Sequence, residues 1–72
     1  MNFKREIASH EGITLSIVKE SGAAAYILDN NGDSRSYPIE NYEEWESMRH
    51  EYECAVEDYN KLVPTDKAIP MF

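Results

Sequence analysis

The sequence predicts an α+β fold, an antiparallel meander of three or four strands packed against one long C-terminal α-helix. Three observations carry that expectation. Apolar residues recur at period two in the first half of the chain, turn residues separate those runs at short intervals, and beyond Asn41 the apolar period becomes that of a helix. The 72 residues make at most one small domain, since domains run to about 50–250 residues. Residues 1–63 are expected to form it, with 64–72 as an extended C-terminal tail.

The first segment, 3–9, suits either a short helix or a strand ending at the His10-Glu11-Gly12 turn. The strand is favoured because hairpins joined by short turns are the local pattern. Residues 13–18, Ile-Thr-Leu-Ser-Ile-Val, alternate apolar and hydroxyl side chains, which puts Ile13, Leu15 and Ile17 on one core-facing side. After Glu20-Ser21-Gly22, the run 23–28 is too short for a typical helix and reads as the next antiparallel strand. Asp29-Asn30-Asn31-Gly32-Asp33 is the strongest local signal, because Asn and Gly tolerate the positive φ of tight hairpin turns. A strand over 34–37 should return from it, and Pro38, lacking an amide donor, is expected to close the sheet.

Trp45, Met48, Tyr52, Ala55, Tyr59 and Leu62 then recur at alternating steps of three and four, one stripe of a helix over 42–62. Asn41 is the expected N-cap, with Glu44 completing a capping box, and Pro64 ends the helix. The stripe is read as the anchor of the helix on the sheet. The same spacing would also serve a self-paired coiled-coil seam.

Fourteen acids against seven bases give a formal charge of -7. Residues 40–60 hold eight of those acids, Glu40, Glu43, Glu44, Glu46, Glu51, Glu53, Glu57 and Asp58, with Arg49 alone opposing them. This segment therefore carries the entire imbalance. Such a charge opposes gripping a phosphate backbone, so direct nucleic-acid binding is not expected. Cys54, the single cysteine, excludes an internal disulfide or a Cys/His zinc arrangement and reads as a buried, inert thiol. His50 beside Glu46, Glu53 and Glu57 lacks the ligand set of a structural metal site, and the Asp29 turn lacks the Glu that closes a calcium loop. No serine lies in a motif that would activate it, so no enzyme, metal or cofactor is expected. Without a long apolar run, no membrane span or leader is expected either, and a cytoplasmic location follows.

What remains is binding. Glu43, Glu46, Glu53 and Glu57 are expected on exposed helix faces as a contact surface, with Tyr37 and Tyr42 as aromatic contacts, because tyrosine adds area at low entropic cost. The expected partner is the basic surface of a nucleic-acid-handling protein. In size and charge, though in no motif, the chain is similar to small inhibitors of bacteriophages and mobile elements, including anti-CRISPR and anti-restriction proteins and other DNA mimics. That similarity implies inhibition by blocking and transfers no residue. The alternative is a structural or assembly protein that homodimerises through the helix stripe.

Overall fold

A computed structural model describes residues 2–41 and 43–70. Four strands, β1 (Phe3–His10), β2 (Ile13–Glu20), β3 (Ala23–Asn30) and β4 (Asp33–Ile39), precede one helix, α1 (Trp45–Leu62). The strands pair in chain order as one antiparallel sheet. Each begins ten residues after the last, so every hairpin loop has two residues. This is the α+β meander the periodicity predicts, with the ambiguous N-terminal segment a strand.

Two of the three turns need positive φ at both central residues, Glu11 (44°) with Gly12 (84°) and Asn31 (52°) with Gly32 (102°). That geometry matches the right-handed twist of the flanking strands. These two turns lie at the same end of the sheet and touch, since the Asn31 amide donates to the Gly12 carbonyl at 2.9 Å. A Cβ on Gly12 would stand 2.2 Å from Asn31 Oδ1, so a larger residue would displace the Asn31 side chain as well as strain the backbone at φ 84°.

Leu15 of β2, Ala24, Tyr26 and Leu28 of β3, and Tyr37 and Ile39 of β4 face the helix in alternating register. Ala55, Val56, Tyr59 and Val63 cover them from the other side. Between Glu6 and Ala8 the β1–β2 register shifts, a bulge that lets consecutive residues, Ile7 and Ala8, both pack against this core. Strict alternation hides that device.

Four local expectations are corrected. Pro38 does not close the sheet: it pairs with Ala25 inside β4, where an edge position leaves its missing N–H without consequence. The helix starts at Trp45 rather than 42, and Asn41 does not cap it. Its Oδ1 instead accepts the Glu43 amide at 3.1 Å, an Asx turn that occupies the side chain before the helix begins. The described residues after Pro64, 65–70, are no extended tail. They make a 3-10 turn at Thr65–Lys67, and Asn60 then holds Ile69 by two bonds, Nδ2 to the carbonyl at 2.9 Å and Oδ1 from the amide at 2.8 Å.

The fourth correction concerns the stripe. Tyr59 is 1% exposed, but Trp45 is 68% and Leu62 42% exposed. A straight helix drifts about 20° per seven-residue repeat, so Val56 comes to face the sheet and Leu62 leaves it, while Val63, the extended residue that ends the helix, is buried in its place. Trp45 is exposed for a different reason. Burial increases along the helix, from Trp45 through half-buried Met48 and Tyr52 to fully buried Ala55, so the first turn lies at the margin of the packed surface.

Candidate functional site

The acidic segment begins where β4 hands the chain to α1, and Asn41 organises that junction. Its amide donates to Ser47 Oγ at 3.2 Å, its carbonyl accepts the Glu44 amide at 3.0 Å, and its Nδ2 donates to Glu44 Oε2 at 3.4 Å. With no side-chain cap on the helix, Glu44 at the N-cap and Glu46 in the first turn lie at the positive end of its dipole. Glu40, Glu44, Glu46 and Glu51 line one groove with Ser47 and His50, about 480 Å³ in volume.

Apart from Glu51, which is half-buried and makes no ion pair among the described residues, the structure divides the acids into two groups. Toward the C-terminus they are matched: Glu53 Oε1 is 3.1 Å from Arg49 Nε, and Glu57 Oε1 is 3.4 Å from Lys61 Nζ. Asp58 lies 3.4 Å from Arg35 and 3.9 Å from Lys61, and accepts the Tyr37 hydroxyl at 2.5 Å. Toward the N-terminus, Glu40, Glu43, Glu44 and Glu46 are exposed and make no ion pair among the described residues. The unbalanced charge thus gathers at the junction.

Of the expected contact residues, Glu43 and Glu46 lie in this unpaired group, and Glu53 and Glu57 in the paired one. The pairing was legible, because Arg49 and Lys61 stand four residues from Glu53 and Glu57. Tyr37 is corrected: at 8% exposure it belongs to the core, and its hydroxyl ties β4 to α1. Burial, reinforced by the bond to Asp58, pushes that hydroxyl up to about 12, with Arg35 opposing. Tyr42 lies outside the described residues.

Cys54 is half-buried against the core, and its thiol is pushed up by burial and then by Glu51, Glu57, Asp58 and Glu53. These causes favour the neutral thiol and suppress its nucleophilicity. Among the described residues no group of His, Cys, Asp or Glu is arranged to hold a metal ion, and no helix is long and apolar enough to cross a membrane. Sequence reasoning missed Trp45, which it placed in the core; periodicity gives the direction of a side chain but not where the opposing sheet ends. Comparison with protein-family models, curated proteins and solved structures finds no significant match.

Proposed function

We propose that this protein is a non-enzymatic binding protein that uses its acidic β4–α1 junction to block a basic, nucleic-acid-binding surface on an intracellular partner protein. The observation that supports this reading is the group Glu40, Glu43, Glu44 and Glu46, exposed together and without ion pairs among the described residues, while Glu53, Glu57 and Asp58 further along the helix are paired. Unpaired carboxylates lose nothing internal when a partner's Lys and Arg approach, and their field speeds encounter. The blocking would be steric and electrostatic, in the manner of small inhibitors of phages and mobile elements. The rival, assembly through a helix seam, has less support, because Tyr52, Ala55 and Tyr59 of the proposed seam pack toward this chain's own sheet.

The test is capture of partners from the source cell, followed by titration of the captured protein with wild type and with Glu43→Lys, Glu46→Lys at two salt concentrations. Weaker binding for the charge reversal, weaker binding in higher salt and competition by nucleic acid are expected. Equal affinities for both proteins at both salts would overturn the reading.

A further inference from the structure

Beside the unpaired acids the molecule carries a second feature, at the margin of the core. Trp45, Met48, Arg49 and Tyr52 of α1 and Tyr26 of β3 line a mainly apolar cleft of about 230 Å³. Tyr52 meets Tyr26 edge to face, with ring centroids 5.6 Å apart and planes at 64°. Trp45, 68% exposed, contributes an indole to the same cleft. Small-molecule sites usually enclose about 300–1,000 Å³, so this space suits one long side chain better than a cofactor.

Charge decides which side chain. Glu44 and Glu46, the chain neighbours of Trp45, line the acidic groove with Glu40 rather than the cleft itself, so they act on the cleft's occupant as a nearby field. With Glu40 and Glu43 they remain without ion pairs among the described residues. Arg49, the cation in the lining, already has its Nε on Glu53 at 3.1 Å. Aromatic faces attract cations, tryptophan most strongly. A second copy of this chain is a poor occupant, since it would bring the same unpaired carboxylates against their counterparts.

We propose that the cleft receives one Lys or Arg side chain from the basic partner, with its stem against the apolar wall and its charge over the Trp45 indole. This rests on the acidic-surface reading and adds the anchor that a field of exposed charges lacks, because aromatic residues in pockets, more than rim charges, hold complexes together.

Trp45 is the chain's single tryptophan, so its emission reports on the cleft. The full-length protein is titrated with a capped tetra-arginine peptide and with the same peptide carrying neutral citrulline. A saturable emission change with arginine and none with citrulline is expected. By calorimetry, Trp45→Ala should bind the arginine peptide about tenfold more weakly, and Trp45→Phe should fall between, both with the wild-type melting curve. Unchanged affinity in Trp45→Ala, together with weakened binding in Glu43→Lys, Glu46→Lys, would overturn the cleft and leave the acidic surface standing. A wild-type chain that ignores the arginine peptide but still binds its captured partner in a salt-dependent way would do the same. An emission change that tracks protein concentration, with a dimer in sedimentation, would overturn the proposal in favour of a second copy.

Discussion

The two halves of α1 share an acidic, amphipathic sequence and are put to different uses. In the C-terminal half Ala55, Val56 and Tyr59 are buried, Glu53 and Glu57 are paired along the helix, and Asp58 is bonded to β4. In the N-terminal half Trp45 is exposed, Met48 and Tyr52 are half-buried, and the carboxylates before and within the first turn have no ion pairs among the described residues. One half is held by its own chain, and the other presents groups that its own chain leaves unmatched. An aromatic or an acid on this helix has a role set by what lies opposite it.

The sharpest way to break the contrast is to truncate one aromatic in each half. Tyr59→Ala should lose about 3–5 kcal/mol, the cost of emptying a buried aromatic site, which rivals the whole stability of a small domain. Trp45→Ala should change stability by less than about 0.5 kcal/mol, as exposed substitutions do. Urea denaturation of both variants checks this; equal losses would mean that the first turn is as well anchored as the last.

A smaller effect separates the acids. Asp58→Ala removes the acceptor of the Tyr37 hydroxyl and should destabilise by about 1.5–3 kcal/mol, whereas Glu46→Gln should stay within about 0.5 kcal/mol. The burial of the Tyr37 hydroxyl, together with this bond, predicts a pH dependence. Tyr37 ionises near 10 unfolded and at about 12 folded, so between those values the unfolded chain has released a proton that the folded chain retains. Stability is then present in full below pH 10 and falls as pH rises toward 12. Tyr26 and Tyr59, also raised by burial, act in the same direction. Melting curves across that range should show a shallower decline for Tyr37→Phe than for wild type.

The smallest expected effect tests the end of the C-terminal half. Asn60→Ala removes both bonds to Ile69 and should cost about 1–2 kcal/mol. The loss should be local, with the Ile69 amide exchanging its hydrogen much faster while the amides of β2 and β3 keep their protection. Protection of Ile69 unchanged in the variant would show that packing alone holds the segment down.

Much of the fold was legible because its causes are local. The alternation of Ile13, Leu15 and Ile17, the Asn31-Gly32 turn and the three-and-four spacing from Met48 to Tyr59 each state a backbone preference within a few residues. The candidate site was legible in its charge and less so in its membership. Glu46 could be placed on an exposed helix face, Glu43 is exposed but precedes the helix, and the i, i+4 spacing marks Glu53 and Glu57 as paired. Tyr37 could not be withdrawn from the surface, because its partner Asp58 lies 21 residues away and no period connects the two.

By itself, then, the sequence determined where strands, turns and helix occur, how they alternate, and that the net charge collects in residues 40–60. Only the tertiary structure decided which aromatic residues are buried and which acids are paired across elements. It left Trp45 exposed at the margin of the core, brought Tyr37 under the helix and let the β1 bulge turn both Ile7 and Ala8 inward. The physical reason is that periodicity fixes the direction a side chain points, whereas burial and pairing depend on a second surface whose extent no local pattern records.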